Sequence, residues 1–251
     1  GLAKNGAKPI FAVQSSFVQR TYDQISQDIA LNNSPVTVIV HCGGMSGIDM
    51  THLGTFDISM ISNIPNIVYL APTNKEEYLN MLDWSIEQVE HPVFIRVPLG
   101  EPVVTGKVDK TNYSELNKYQ VVKSGSDVAI VGLGTFFKLG EKVYDRLKQA
   151  GFNPTLINPK FITGLDENLL EGLKNNHNVV ITLEDGILDG GFGQKIASFY
   201  GDSEMKVLNY GGKKEFTDRI KVTDLYERYR LTPDLIFEDV MRLQAGNLLY
   251  A

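Results

Sequence analysis

The segment VTVIVHCGGMSGIDMTHLGTFD, residues 36–57, decides the fold class that this sequence predicts. Its first five residues are an apolar run, which is typical of a buried strand. A polar, glycine-rich loop follows directly and holds two of the four histidines, the single cysteine and an aspartate. In open α/β sheets, ligands bind beyond the carboxyl ends of the strands. The segment therefore predicts an α/β domain with its functional site in this loop.

Strands and helices alternate on both sides of this segment. Apolar runs predict strands at residues 9–13, 36–40, 67–70, 93–96, 128–131, 155–157 and 179–183, and a further one that begins at residue 207. Helical spacing predicts buried helix faces made by Val18, Tyr22, Ile25 and Ile29, by Tyr78, Leu79, Leu82 and Ile86, by Leu139, Val143 and Leu147, and by Ile236, Val240 and Leu243. Short helices are expected at residues 169–173 and after residues 190–193. This order predicts an α/β fold of two consecutive, mostly parallel, doubly wound domains.

Helix starts and the domain boundary follow from local composition. Ser15 or Ser16 is expected to cap the first helix, Thr73 with Glu76 forms a capping box, and Thr232-Pro233 begins the last helix. Residues 99–116 contain glycine, proline, lysine and aspartate with little periodicity, which indicates an interdomain linker. We therefore expect one domain at residues 1–98 and a second at residues 117–251.

The composition excludes several classes of partner. The chain has a net charge of −6 and a pI near 5.3, so no basic surface predicts binding to nucleic acid or to an anionic membrane. One cysteine cannot form an internal disulfide and fits a reducing compartment such as the cytoplasm. No apolar run reaches the length of a membrane span. The first residue is Gly1, so either an initiator was removed or the chain starts inside a longer protein.

The loop residues allow three kinds of chemistry. His41, Cys42, Asp49 and His52 have the ligand types of a zinc site, although adjacent residues at a strand end alternate in direction. Cys42 could instead be a nucleophile with a histidine base. As a third possibility, the Asp49 carboxylate orients the His52 imidazole for proton transfer to a bound substrate.

Other glycine-rich motifs have a structural and a functional interpretation. Residues 132–134 form half of a dinucleotide-binding fingerprint, but Phe137 stands where its third glycine is needed, so a tight turn is favoured. Residues 190–193 could hold an anion at a helix start, although close backbone packing is the preferred interpretation. Glu184 and Asp185 could be catalytic carboxylates, but a solvated pair at a strand end is the prediction.

Several segments together resemble the 1-deoxy-D-xylulose 5-phosphate synthases, which are thiamine diphosphate enzymes of the transketolase superfamily. The resemblance is carried by residues 4–9, 15–24, 47–57, 64–66, 71–73, 95–98, 184–185 and 190–193. It implies a pyrimidine-binding domain followed by a C-terminal domain. The family's diphosphate-binding domain, its metal motif and its catalytic glutamate have no counterpart in this sequence, so Mg²⁺ ligands are expected elsewhere and this chain alone is expected to be inactive.

The resemblance also implies a reaction and partners. The family joins a two-carbon unit from pyruvate to glyceraldehyde 3-phosphate with thiamine diphosphate and Mg²⁺, so small-molecule substrates and a homodimer are expected. Two alternatives stay open. One is a related transketolase-type enzyme with a different acceptor, and the other is a catalytically silent module for dimerisation or binding.

Matching positions imply roles for individual residues. Phe17 matches the aromatic residue that stacks on the aminopyrimidine, and Arg20 matches an arginine of the same pocket. Asp49 and His52 match the acid and the imidazole near the reacting carbon, and we expect them to be catalytic.

The positions that bind the acceptor's phosphate in the family depart from its pattern. Gln14 replaces a tyrosine, and Cys42 and Leu99 each replace an arginine. Because arginine binds phosphate by paired, charge-assisted hydrogen bonds, these changes predict weaker binding of a phosphorylated acceptor. Arg20 or Arg96 could compensate.

Overall fold

The apolar run at residues 36–40 lies in the second strand of a four-stranded parallel sheet. The structure is a computed structural model that describes the backbone of residues 1–248 and the side chains of residues 1–243. The strands of this first sheet are β1 (Ile10–Gln14), β2 (Thr37–Gly43), β3 (Val68–Leu70) and β4 (Val93–Pro98). They lie in the order β1-β2-β4-β3, and each neighbouring pair is parallel. All four carboxyl ends therefore lie at one edge.

Helices cover the two faces of this sheet. They are α1 (Ser15–Val18), which continues into the 3₁₀ turn Gln19–Thr21 and the π-helix Gln24–Ala30, then α2 (Asp57–Ile61) and α3 (Lys75–Glu87). Val18 and Ile58 pack with Val38 on one face, whereas Met81 packs with Val93 on the other. The connections after β1 and β2 thus cross one face, and the connection after β3 crosses the opposite face.

Two of the predicted helix faces are wrong in part. Val18 and Ile25 are buried as predicted, but Tyr22 is exposed. The helix passes through a 3₁₀ turn and then a π-helix, and the changed number of residues per turn rotates the apolar stripe. On α3, Leu79 is exposed and the buried face is Glu77, Met81 and Ser85.

The cap of α3 is shifted by one residue from the prediction. Asn74 is the N-cap, and its side-chain oxygen accepts a hydrogen bond of 2.9 Å from the Glu77 amide. The Glu77 carboxylate accepts from the amide and hydroxyl of Thr73, at 2.8 and 2.9 Å. Glu76, the predicted partner, instead accepts from the amides of Thr105 and Gly106 and so holds the segment after β4.

A second sheet is built from the rest of the chain. Its strands are β5 (Gln120–Lys123), β6 (Asp127–Gly132), β7 (Thr155–Asn158), β8 (His177–Ile187) and β9 (Lys206–Gly212), in the order β5-β7-β6-β8-β9. Only the β5–β7 pair is antiparallel among these strands. The helices are α4 (Phe137–Gln149), α5 (Glu167–Leu173), α6 (Phe192–Phe199), α7 (Val222–Arg228) and α8 (Pro233–Leu248). The predicted fold class is confirmed, and α8 begins at the predicted Thr232-Pro233 pair.

Three elements were not predicted. The strand β5 is a four-residue edge strand with three exposed positions, so it lacks a buried apolar run. The helices α2 and α7 have five and seven residues, too few to show a clear helical period. No helix within residues 1–248 is long and apolar enough to cross a membrane.

The prediction that Glu184 and Asp185 are solvated is wrong. Glu184 is 0% exposed and Asp185 is 4% exposed. The Glu184 carboxylate accepts hydrogen bonds from the amides of Phe192 (3.0 Å) and Gly193 (2.8 Å) at the start of α6. A Cβ atom on Gly191 would lie 2.6 Å from this carboxylate, which confirms that these glycines serve close packing. The anion at the helix start is therefore the protein's own Glu184.

The two sheets are joined by direct hydrogen bonds. The Ala71 amide donates to the Lys160 carbonyl at 2.8 Å, and the Ile162 amide donates to the Tyr69 carbonyl at 2.7 Å. The buried Lys160 ammonium lies 3.4 Å from a Glu77 oxygen. This cation explains why a glutamate can occupy the buried face of α3.

The buried Glu184 predicts a pH-dependent stability. Burial raises its pKa from 4.5 to about 7. Between these values the folded chain keeps a proton that the unfolded chain has lost, so stability falls as the pH rises from about 4.5 to about 7. The shift corresponds to about 3 kcal/mol at about 1.4 kcal/mol per unit. We expect the free energy of unfolding in urea to fall over this window in the unsubstituted chain.

Two variants isolate the contribution of this carboxyl group. Glu184→Gln cannot titrate, so its stability relative to the unsubstituted chain should improve as the pH rises. Glu204→Gln, at an exposed position, should leave the pH dependence unchanged. Parallel pH profiles for the unsubstituted chain and Glu184→Gln would contradict the prediction.

Candidate functional site

The carboxyl edge of the first sheet collects the residues that the sequence analysis selected. The strand register places Gln14 beside His41 and Gly43 beside Pro98. Gln14, Cys42 and Leu99 therefore lie at the ends of three adjacent strands. Gln14 and Cys42 are half-buried, and the Leu99 side chain is 58% exposed. The structure brings these three positions to one sheet edge.

The glycine-rich loop after β2 folds back on itself. The Gly44 amide donates to the Gly54 carbonyl at 2.6 Å, which forms an isolated β-bridge. A Cβ atom on Gly54 would collide with the Cys42 carbonyl oxygen, so this crossing requires glycine. The closed loop presents residues 45–53 beyond the strand end.

Asp49 and His52 form a hydrogen-bonded pair within this loop. His52 Nδ1 lies 3.1 Å from Asp49 Oδ1, which also accepts the Thr51 amide at 2.9 Å and the Thr51 hydroxyl. The Thr51 hydroxyl, followed by His52, lowers the pKa of Asp49 well below its ordinary value, so Asp49 is a carboxylate at neutral pH. A carboxylate only accepts, so Nδ1 carries a proton and Nε2 of the neutral ring remains an acceptor.

An exposed aromatic ring stands beside this imidazole. Phe17, in the first turn after β1, meets the His52 ring edge to face, with centroids 5.4 Å apart and planes at 76°. Phe17 is 44% exposed. Arg20 is also exposed and makes no ion pair with the described side chains. Phe17, Asp49 and His52 are thus assembled from two loops at one sheet edge.

Several buried hydroxyl groups near the site have no partner. Ser15 and Ser16, expected as helix caps, lie inside the first turn of α1 and are 4% and 6% exposed. Their hydroxyl oxygens, and that of Ser46 in the loop, accept or donate no hydrogen bond among the described residues. Buried polar groups are normally hydrogen-bonded to protein or to ordered water, so a buried water is the simplest partner for these hydroxyl groups.

The loop is fastened to both domains by Arg96. This residue of β4 donates from Nε to Asp57 Oδ2 at 2.7 Å and from Nη2 to the Gly54 carbonyl at 3.1 Å. Its Nη1 donates to Asp185 Oδ1, in the second sheet, and Asp185 Oδ2 accepts from the Thr135 hydroxyl at 2.9 Å. Carboxylates from α2 and from β8 of the second sheet therefore converge on one guanidinium, which also holds the end of the loop.

The state of Arg96 excludes one role that the sequence allowed. Burial alone would lower the pKa of Arg96, but the carboxylates of Asp185 and Asp57 raise it, so the group stays charged. The side chain is 4% exposed, and its donors are occupied by Asp57, Asp185 and Gly54. Arg96 therefore cannot compensate for the missing phosphate-binding arginines. The sequence analysis missed this centre because its carboxylates come from distant segments.

The zinc interpretation of the loop is also wrong. His41 Nδ1 lies 3.3 Å from Cys42 Sγ, so these two side chains are in contact. Asp49 and His52 do not complete the set, because no group of three or more ligating side chains that could hold a metal occurs within the described residues.

A segment of the second domain borders the loop. The Arg219 amide donates to the Ile48 carbonyl at 3.1 Å, and Asp218 Oδ1 accepts from the Met50 amide at 3.3 Å. A Cβ atom on Gly47 would lie 3.0 Å from the Ile220 carbonyl oxygen. This close approach accounts for the glycine and adds residues that the sequence analysis did not select.

Two family models match the chain. Residues 1–101 match the transketolase pyrimidine binding domain, and residues 117–236 match the transketolase C-terminal domain. The 1-deoxy-D-xylulose-5-phosphate synthase of Clostridium tetani is 36% identical over 246 residues, which cover 97% of this chain and 39% of the relative. That of Symbiobacterium thermophilum is 34% identical over 236 residues, covering 93% and 36%. The chain thus spans about two-fifths of the length of these curated relatives.

Solved structures share the fold. A chain described as a split gene transketolase, inactive β4 tetramer, superposes with a TM-score of 0.82 at 22% identity, covering 96% of this chain and 77% of that one. A transketolase from Pichia stipitis superposes with a TM-score of 0.73 at 14% identity, covering 94% and 34%.

The buried arginine predicts a large effect on stability. Arg96→Leu would leave the carboxylates of Asp57 and Asp185 without their cation, and breaking a buried pair typically costs about 3–5 kcal/mol. We expect a loss of this size in the free energy of unfolding measured in urea. Arg146→Leu removes a more exposed arginine that pairs with Asp234 at 2.9 Å, and should cost about 1 kcal/mol or less. Equal losses for the two variants would contradict this assignment.

Proposed function

The chain belongs to the transketolase superfamily and carries its pyrimidine-binding and C-terminal domains, and on that basis we propose that it is part of a thiamine diphosphate-dependent synthase. The proposed reaction joins a two-carbon unit from pyruvate to an aldehyde acceptor, with release of carbon dioxide. The observation that carries the proposal is the Asp49–His52 pair beside the exposed Phe17 ring at the carboxyl edge of the first sheet.

The residues present fit the aminopyrimidine end of the cofactor. Phe17 offers an exposed ring for stacking, worth about 0.5–1.5 kcal/mol beyond burial. The unpartnered hydroxyls of Ser15 and Ser16 in the same turn offer polar contacts, and Arg20 lies exposed one turn further on. When bound, the cofactor supplies the carbon nucleophile and the electron sink for decarboxylation. We propose that the segment absent from this chain supplies the Mg²⁺ ligands and the diphosphate site.

The loop residues have distinct proposed roles. Asp49 stays ionised, fixes the His52 ring and holds the proton on Nδ1. His52 Nε2 is then free to exchange a proton with the substrate oxygen as charge develops there. Phe17 contacts one side of the imidazole. Positioning of this kind keeps the proton acceptor in one orientation during the reaction.

The acceptor end of the site lacks the family's cations. Gln14 and Cys42 are uncharged, and Leu99 presents an exposed apolar side chain. Because Arg96 is occupied by Asp57 and Asp185, it does not replace the missing arginines. We propose an acceptor that carries less charge than glyceraldehyde 3-phosphate.

We propose that the active state is a homodimer or a larger assembly. We also propose that each chain has domains at residues 1–98 and 117–251, joined by a linker at residues 99–116. Supporting this, the structurally similar split gene transketolase is described as an inactive tetramer. The same likeness supports the proposal that this chain alone is inactive. The alternative function for this chain is that of a module for binding or dimerisation.

His52 provides the test of the proposed chemistry. The test uses the assembled enzyme, which consists of this chain together with the part that supplies the diphosphate site. In that enzyme, His52→Ala should lower kcat for pyruvate decarboxylation about 10²–10⁴-fold. The expected cause is loss of a proton acceptor, so the melting temperature should change little.

A second histidine supplies the control. His91→Ala removes a half-buried imidazole near the opposite end of the sheet, at the start of β4, and should keep kcat within about twofold. The 251-residue chain with thiamine diphosphate and Mg²⁺ should release no carbon dioxide from pyruvate. Turnover by that chain alone, or normal kcat for His52→Ala, would overturn the proposed roles.

The acceptor proposal is tested by restoring an arginine. Hydrogen bonds to charged groups contribute about 1.5–3 kcal/mol each, so two lost arginines correspond to roughly 3–6 kcal/mol. Leu99→Arg should therefore raise kcat/KM for glyceraldehyde 3-phosphate at least about tenfold relative to unphosphorylated glyceraldehyde. Val104→Arg, at an exposed apolar position of the same segment, should not. A strong preference of the unsubstituted enzyme for the phosphorylated acceptor would refute the proposal.

A further inference from the structure

A cleft of about 330 Å³ opens beside Leu99. Its walls come from β2, from the end of β4, from the first turn of α3 and from the segment that follows β4. The lining is mostly apolar and includes Ile39, Pro72, Tyr78, Leu79, Val97 and Val103. Small-molecule sites are typically apolar clefts of roughly 300–1,000 Å³ with few polar groups.

The cleft lies on the face of the sheet that α3 covers. Lys75, Tyr78 and Leu79 of α3 line it opposite Ile39 of β2 and Val97 of β4. The strands β2 and β4 are neighbours in the sheet, so the two form one continuous wall.

The cleft borders the end of β4, at the sheet edge that carries the candidate site. Pro98 and Gly100, the neighbours of Leu99, both line it. The strand register places Val97 beside His41 and Pro98 beside Gly43, at the start of the glycine-rich loop. Thr135 of the second domain also lines the cleft and donates to Asp185, which lies against Gly44. A molecule in the cleft therefore lies against the segment that carries Leu99.

The charges around the cleft favour a neutral occupant. Among the described lining residues, the charged ones are Lys75 and Glu101, which are exposed and opposite in sign. The polar groups of Thr73 and the N-cap Asn74 are already bonded to Glu77 and to each other. No anion is attracted by this set, whereas burial of methylene groups is favourable.

We propose that this cleft binds the chain of the acceptor, an unphosphorylated, unbranched aliphatic aldehyde, with its carbonyl group toward the glycine-rich loop. This assignment rests on the proposed function and names its substrate class. Each methylene buried in the cleft is expected to raise kcat/KM about three- to fourfold until the cleft is filled.

The first test measures acceptor preference in the assembled enzyme. The ratio of kcat/KM for hexanal to that for acetaldehyde should exceed about 20 in the unsubstituted enzyme. Leu79→Asp, and independently Val103→Asp, should lower this ratio at least about fivefold, and both positions are exposed enough to accept the change. Val89→Asp, at an exposed valine outside the cleft, should leave the ratio unchanged. A ratio near one, or equal effects of all three variants, overturns the proposal.

The second test does not depend on catalysis. Titration of the 251-residue chain with 1-hexanol should shift the methyl NMR signals of Ile39, Leu79 and Val103, and leave that of Val89 in place. Absence of these shifts overturns the proposal. It is also the result expected if a second copy of the chain fills the cleft. Shifts without chain-length dependence overturn the assignment to the acceptor. If the shifts appear but the assembled enzyme turns over no aldehyde, the proposed function is wrong. The cleft is then still a binding site.

Discussion

The guanidinium of Arg96 between Asp57 and Asp185 is the constraint on which the site depends. A buried charge is tolerated only when its partners hold it in one geometry, and here one partner comes from α2 of the first domain and the other from β8 of the second. Tyr69, which donates to Asp57, and Thr135, which donates to Asp185, complete the surroundings. The relative position of the domains and the end of the glycine-rich loop are therefore fixed by the same group.

Glu184, the neighbour of Asp185 on β8, has a raised pKa. Burial is the main cause of its raised pKa, and the carboxylate of Asp185 adds to it, while the amides of Phe192 and Gly193 act in the opposite direction. Asp185 is committed to Arg96, so Glu184 is the carboxyl group of the pair that can be neutral. The two adjacent acids of β8 thus have different roles. Glu184 bonds to the start of α6, and Asp185 joins the two domains through Arg96.

The strands other than β5 were predictable because each contains a local apolar run, whereas the buried polar positions were not. Glu77 occupies the buried face of α3 because Lys160 reaches it from the other domain, and no pattern within the helix encodes that contact. The burial of Glu184 likewise depends on α6. In the site, the spacing of Asp49 and His52 was sufficient to select that pair, whereas Gln14, Cys42 and Leu99 were selected by the resemblance to the family. The contact between Phe17 and His52 was not, since it depends on the register of β1 with β2.

The end of β4 separates a structural residue from a position for which we propose a role in acceptor binding. Arg96 is buried and bonded to three groups, so any change there alters the domain interface as well as the loop. Leu99, three residues later, is exposed beyond the strand and makes no comparable contact within the described structure. Substitution at Leu99 or at the half-buried Cys42 can therefore alter the charge at this sheet edge without removing a contact of the Asp49–His52 pair. If the proposed function holds, the acceptor can differ between proteins that keep the same fold and the Asp49–His52 pair, and the apolar cleft beside Leu99 is where we propose that such a difference arises.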